Sequence, residues 1–257
     1  MEENYSCFLI LFILIAVIFG FFYFNKTSLI SNSCQINEVR ETPVSLDLAK
    51  AVASDQVNRN NPPFNWVYVG NYLIYNSFGE TNYYMLIFRK SDFNNFNTLD
   101  KLEQNAKLFS DSTQDESDKK YQFNDIATVM TGTMKEDKLI QRHFRGISEA
   151  IGKRLEAKDF VEKNYPGKTI GNLIADSSTG TNYYEIIDKT SKKSSNNLIS
   201  MNDFSIVSLS DLEKNQEDLQ KRKEQRYSTY EEDECDSYKK AVEEARQASI
   251  SEWNSFD

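Results

Sequence analysis

His143 is the only histidine in the chain, and that fact alone removes much chemistry. Zinc sites built on paired histidines, and H-x-x-x-H helices, need a second imidazole. A Ser-His-Asp triad needs only one, but no G-x-S-x-G elbow occurs, and Arg142 and Arg145 flank His143, a poor setting for a neutral base. The stretch "YPGKTIGN" at 165–172 carries Gly-Lys-Thr, the end of a phosphate-binding loop. Such a loop requires a further glycine where Glu162 stands, with a strand before it and a helix after it; the local pattern reads in the reverse order. "DSTQDESD" at 111–118 has acidic spacing faintly like a calcium loop, without the mid-loop glycine or the closing glutamate. Carboxylates abound, yet nothing in the sequence singles out a pair for acid–base work. No catalytic residue, metal ligand or cofactor site is assigned.

Two residue types remain as candidates. Cys34 and Cys235 lie outside the apolar N-terminal segment and have no C-x-x-C spacing. They form a disulfide in an oxidising compartment or stay as thiols in a reducing one, and the sequence leaves both open. Acidic neighbours in "EEDECDSY" raise the Cys235 thiol pKa and argue against a nucleophile. Tyrosines recur in pairs: Thr-Asn-Tyr-Tyr is written at 81–84 and again at 181–184. Tyr83 and Tyr183 are candidate binding residues because tyrosine joins a large apolar body to a polar tip. The competing reading gives them to the core. Trp253 and Phe256, at the C-terminal end, are candidates for a partner-binding surface or for docking onto the chain's own body.

The elements that position these residues begin with a membrane anchor. Cys7 to Phe24 runs without a charge. As a helix rising about 1.5 Å per residue it nearly crosses a hydrocarbon core of about 30 Å. The preceding "MEEN" has no Lys or Arg, which disfavours a cleaved signal peptide. Lys26 and Arg40 follow the apolar run, a weak charge bias toward a cytoplasmic body, so the side of the soluble body stays undecided. The net charge of −9 repels phosphate backbones, and the one basic stretch, "KLIQRHFRG" at 138–146, reads as a solvated face. Nucleic acid is therefore not an expected partner. The expected partners are the bilayer, through residues 7–24, and other proteins at the membrane, with a homo-oligomer possible.

The tyrosine pairs belong to a longer likeness. "GNYLIYNSFGETNYY" at 70–84 resembles "GNLIADSSTGTNYY" at 171–184, and "TLDKLEQN" at 98–105 resembles "SLSDLEKN" at 208–215. Matched blocks in one order predict an internal duplication. Each copy reads as helix, antiparallel meander, helix. The first helix spans 45–57 with Ser45 as N-cap; its counterpart spans 147–164. Residues 66–90 read as three short strands, with Gly70-Asn71 and the segment around Gly79 as turns. The face bearing Tyr84 and Tyr184 is expected to meet the core, and the strand after the first turn is apolar on both faces. Helices follow at 98–109 and from Leu209, where Ser210 and Glu213 have capping-box spacing. Residues 191–207 read as an insertion in the second copy.

The expected fold class is α+β: an N-terminal transmembrane helix, a duplicated helix–antiparallel β-meander–helix unit and a polar C-terminal helix broken near "YSTYEEDECD". The boundaries are 1–30 for the anchor, 42–110 for the first repeat, 111–146 for an acidic linker with an extra strand, 147–225 for the second repeat and 226–257 for the C-terminal part. The expected function is a single-pass, membrane-anchored, non-enzymatic structural or adaptor protein of an envelope or membrane-associated assembly, viral or bacterial. The alternatives are an extracytoplasmic ligand-binding module with a Tyr-lined groove and a membrane-bound hydrolase that uses carboxylates.

Overall fold

A computed structural model describes residues 34, 40–60, 65–93, 96–110, 125–176, 179–227, 229 and 232–256. The chain forms two compact units. The larger comprises residues 38–219 with 241–257; the smaller, among the described residues, comprises Cys34 with residues 220–240. The expected anchor at 7–24 lies outside the described residues, among which no helix is long and apolar enough to cross a membrane.

The larger unit is α+β around a mixed eight-stranded sheet. Helix α1, Leu46–Asn60, starts where the Ser45 hydroxyl accepts the Leu48 N–H at 3.2 Å. Its helical spacing brings Ala49, Val52, Ala53 and Val57 onto one buried stripe. Strands β1, Trp66–Tyr75, and β2, Thr81–Lys90, form an antiparallel hairpin. This replaces the expected three short strands, because Gly70-Asn71 is not a turn. The register shifts there in a bulge, and a Cβ on Gly70 would stand 2.4 Å from Leu99 Cγ. The glycine admits a leucine from the next helix rather than reversing the chain. Met85, Leu86, Ile87 and Phe88 are all buried, as a strand apolar on both faces requires.

Helix α2, Leu99–Ser110, is followed by β3, Ile126–Gly132, and β4, Ile140–Arg145. β3 pairs with β2 and β4 with β3, both antiparallel. Residues 126–145, which the sequence assigns to a linker and an extra strand, therefore belong to the first meander; α2 separates strands that are neighbours in space. The helix expected over 147–164 is two pieces, α3, Glu149–Gly152, and α4, Arg154–Asn164, parted at Lys153. Strands β5, Lys168–Ala175, β6, Asn182–Asp188, β7, Ser194–Ser200, and β8, Ile206–Ser208, form a second antiparallel run. The supposed insertion is β7 and β8, which extend β6 as β3 and β4 extend β2. Helices α5, Leu209–Tyr227, and α6, Glu232–Asn254, end the chain. Helix α5 starts at Leu209, as expected, which leaves Ser210 inside the helix rather than at its cap, and Ser208 Oγ accepts the Ser210 N–H at 3.2 Å.

The strand order is β4-β3-β2-β1-β5-β6-β7-β8, and only the central β1–β5 pair is parallel. The two hairpins share one register. Leu73 faces Tyr84 and Ile74 faces Tyr83; the residues numbered one hundred higher, Leu173 with Tyr184 and Ile174 with Tyr183, repeat it. The second Gly-Asn pair, at Gly171, also lies in a register shift, and a Cβ there would stand 2.7 Å from Ile187 Cγ2. The turns reverse through Gly79 at φ 77° and Gly180 at φ 71°.

Parallel central strands place equivalent elements on opposite faces. On one face α1 packs over Leu86, Phe88, Ala127 and Val129, and the first turn of α5 brings Leu212 against Ile174, Tyr183 and Leu198. On the other, residues of α2, α3 and α4, among them Leu102, Ile151 and Val161, pack with Ile74, Met85, Ile87, Tyr184 and Ile186. Tyr84 and Tyr184 both meet core, as expected, but cores on opposite sides.

Candidate functional site

The candidate binding tyrosines do not converge. Tyr83 packs with the cluster that holds Ile74 and Ile87, whereas Tyr183 belongs to the cluster with Leu198 and Leu212 on the opposite face. Adjacent residues of a strand point to opposite faces, and the face exchange between β2 and β6 sends the equivalent residues apart. They cannot line a common groove. Tyr183 is itself buried, and burial raises the pKa of the Tyr83 hydroxyl, with Arg142 pulling against it. Trp253 is fully buried and its indole N–H donates to the Asp137 carbonyl at 3.0 Å. Phe256 packs beside the same cluster. This C-terminal end is core, not a presented surface; a tryptophan at the end of a polar helix reads equally as anchor or bait until its burial is known.

In the smaller unit Cys34 and Cys235 are joined by a disulfide with Cα atoms 5.6 Å apart, and both residues are buried. The bond spans a sequence separation of 201 residues. In the same unit the Tyr227 and Tyr238 rings meet with centroids 5.2 Å apart and hydroxyls 3.0 Å apart.

The main inward-facing polar cluster of the larger unit was not legible in the sequence. Tyr72 of β1, Glu103 of α2, Arg154 of α4 and Tyr184 of β6 meet between the sheet and its helices. Glu103 Oε1 accepts the Tyr72 hydroxyl and, at 3.0 Å, Nε of Arg154. The guanidinium lies over both rings, 5.0 Å from the Tyr184 centroid and 5.8 Å from that of Tyr72. The Tyr184 hydroxyl donates to the Ala150 carbonyl at 3.1 Å. Burial drives the Tyr72 pKa upward, and the Glu103 carboxylate adds to it. Burial also pushes Tyr184 up to about 12, against the pull of Arg154. Burial alone would lower Arg154, but Tyr184 and Glu103 outweigh it and hold the guanidinium charged. Both phenols thus stay protonated and the guanidinium stays charged near neutral pH. These three groups are set for holding four elements together rather than for moving protons. Glu103 lies in the "LEQN" block at 102–105, which resembles "LEKN" at 212–215, and that is the one signal that marked its position.

A second polar cluster gathers the chain on the 133–139 loop between β3 and β4. Asp137 takes Nε and Nη2 of Arg40 at 3.1 and 2.7 Å, a bidentate pair, and accepts the N–H groups of Thr133 and Met134. Glu136 accepts the Thr42 hydroxyl at 2.9 Å and faces Arg246 of α6 at 3.8 Å. Pro43 bridges to Met134, and Lys135 reaches Asn254 at 2.8 Å. One loop therefore grips both the segment that enters the body and the helix that ends it. Burial opposes the charge on Glu136, but hydrogen bonds from its own backbone and from Thr42 outweigh it, leaving the pKa below the usual carboxylate range.

Among the described residues the carboxylates that shift, Glu136, Glu162, Asp188, Asp203 and Glu243, all shift downward, the direction opposite to that of a carboxylic acid poised to donate a proton. His143, half-buried on β4, is lowered by burial and by Arg145. Among the described residues no group of three or more His, Cys, Asp or Glu gathers as a metal site. Compared with protein-family models, curated proteins and solved structures, the chain matches none.

Proposed function

We propose that this chain is a single-pass, membrane-anchored structural or adaptor protein whose body stands on the oxidising, extracytoplasmic side of an envelope. The observation that carries the reading is the Cys34–Cys235 disulfide. Such bonds persist where thiols are not kept reduced, and this one is buried at both ends. It outweighs the opposing charge signal, which consists of Lys26 and Arg40 alone. The charge-free run from Cys7 to Phe24 supplies the anchor.

The body arose by duplication of a helix-and-meander unit. The shared hairpin register, the two Gly-Asn bulges and the two tyrosine-to-carbonyl bonds support that history. A fused pair around a parallel strand junction makes one continuous eight-stranded sheet, a platform for partners. Its inward polar clusters are occupied by their own neighbours, which fits scaffolding better than turnover. Tethering confines the platform to two dimensions and raises its effective concentration for partners on the same membrane.

The test is labelling with a membrane-impermeant maleimide in intact cells. A Lys193→Cys variant places a thiol on the exposed turn between β6 and β7. Labelling of intact cells above the unsubstituted chain is expected. Labelling only after permeabilisation would put the body in the cytoplasm and end this reading.

A further inference from the structure

Cations gather where β5 begins and β6 ends. The strand register sets Lys168 opposite Asp188, and the Lys189 N–H donates to the Gly167 carbonyl at 2.9 Å. The end of α4, its connection to β5 and the β6–β7 turn are thereby neighbours. Residues 158–168 and 188–193 together hold six lysines and three acids, a net charge of +3 within a chain of −9. Each segment alone is mixed in charge, so only the assembled sheet shows the patch. Two of the acids are engaged inside it. Glu162 accepts Lys189 Nζ at 3.0 Å and the Thr169 hydroxyl at 2.8 Å, and Asp188 accepts the N–H groups of Thr190 and Ser191 at 2.9 and 2.8 Å. Lys163, Lys189, Lys192 and Lys193 are exposed. Among them stands Tyr165, one of the exposed large apolar residues, followed by exposed Pro166. Lys192 has φ 58°. The β5–β6 turn closes with the same pair of backbone bonds, and there Gly180 fills the matching position. A lysine where the backbone favours glycine points to use of the side chain.

We propose that this end of the sheet docks on an anionic bilayer surface, with the lysines meeting lipid phosphates and Tyr165 settling at headgroup level. Lysine suits the task because its long apolar stem lets the ammonium reach a phosphate while the stem stays over apolar groups. Tyrosine is enriched at the membrane–water interface for the same union of apolar body and polar tip. Juxtaposed lysines add their attraction to an anionic leaflet. A nucleic acid would face the repulsion of the remaining, strongly acidic chain, whereas a bilayer touches one end of the body. An acidic protein would use the lysines but has no need of the exposed Tyr165–Pro166 tip. The proposal deepens the adaptor reading above, since the body then meets a membrane at a point other than the anchor. The binding itself depends neither on the anchor nor on which side of the membrane the body stands.

Vesicle binding tests this, with the full-length chain held in phosphatidylcholine nanodiscs that are immobilised through their scaffold. Vesicles of phosphatidylcholine alone are compared with vesicles in which about a third of the lipid is phosphatidylserine. The unsubstituted chain should bind the anionic vesicles at least about tenfold more tightly, and added salt should weaken that binding. A Lys163→Gln/Lys192→Gln/Lys193→Gln variant should lose about a hundredfold, roughly fivefold for each lysine. Tyr165→Ser should weaken binding several-fold while leaving the salt dependence in place. Equal binding to both kinds of vesicle would overturn the proposal, and so would a triple variant that binds as the unsubstituted chain does. Binding of polyglutamate as tight as that of the anionic vesicles, with Tyr165→Ser without effect, would overturn it in favour of an acidic protein partner. A cytoplasmic body in the labelling experiment above would end the localisation reading without touching this result.

Discussion

Tyr84 and Tyr184 make the same bond on opposite faces of one sheet. The Tyr84 hydroxyl donates to the Val44 carbonyl at 3.2 Å, just ahead of α1, and the Tyr184 hydroxyl donates to the Ala150 carbonyl at 3.1 Å, in α3 just ahead of α4. Each tyrosine pins the start of the helical segment that covers its own hairpin. The repetition of Thr-Asn-Tyr-Tyr thus has a mechanical reason: the second tyrosine joins a strand to the chain that precedes the hairpin.

The two bonds differ in burial, and the variants should differ accordingly. Tyr184→Phe strands a buried carbonyl and removes a partner of Arg154, so a loss of about 1–3 kcal/mol is expected; Tyr84→Phe, at a partly exposed site, should cost about 0.5–1.5 kcal/mol. Because the residues lie on opposite faces, the double variant should be additive within about 0.5 kcal/mol. Urea denaturation measures all three.

Gly70 is required for space, not for a turn. Gly70→Ala drives a methyl group into Leu99 and should cost about 1–3 kcal/mol. Adding Leu99→Ala relieves the clash, so the double variant should be less destabilised than the sum of the singles by about 0.5–3 kcal/mol. A purely additive result would mean that α2 does not sit on Gly70.

Asp137 is the centre of the loop that grips both ends of the body. Asp137→Ala leaves the Arg40 guanidinium and two backbone N–H groups without their acceptor. A loss of about 2–3 kcal/mol is expected, moderated by the partial exposure of the pair. The change should also be local. The Val44 N–H, which bonds the Thr133 carbonyl at 2.8 Å, should exchange faster, while amides of β5 and β6 keep their protection.

Stability should fall at both ends of the pH range. Glu136 has a folded pKa below its unfolded value, so its contribution is present above the ordinary carboxylate range and is lost as pH drops through the lowered value. Glu136→Gln should flatten the acid side of the profile. Tyr184 is raised from 10.0 to about 12, so its contribution is complete below pH 10.0 and is lost as pH climbs toward 12. Tyr184→Phe should flatten the alkaline side. Thermal midpoints across pH check both.

The hairpin cores were readable because period-two alternation and glycine turns leave plain marks: Ser45 caps α1, Gly79 and Gly180 turn the chain, and β2 is apolar on both faces. What escaped was long-range. The matching places of β3–β4 and β7–β8 in the sheet were hidden because α2 interrupts one meander and nothing interrupts the other. Gly70 and Gly171 looked like turn residues because sequence cannot distinguish a glycine needed for φ from one needed for room. The separation of Tyr83 from Tyr183 depends on the parallel β1–β5 junction, which no local pattern encodes. The Tyr72–Glu103–Arg154–Tyr184 cluster draws on four elements, so only the assembled fold reveals it.

The most direct test of the whole account is peptide mapping of the chain in its native membrane, with thiols blocked at lysis and no reductant added. The account predicts a cross-linked peptide joining Cys34 to Cys235, converted to two free peptides on reduction. Recovery of both cysteines as blocked, unoxidised thiols would contradict it.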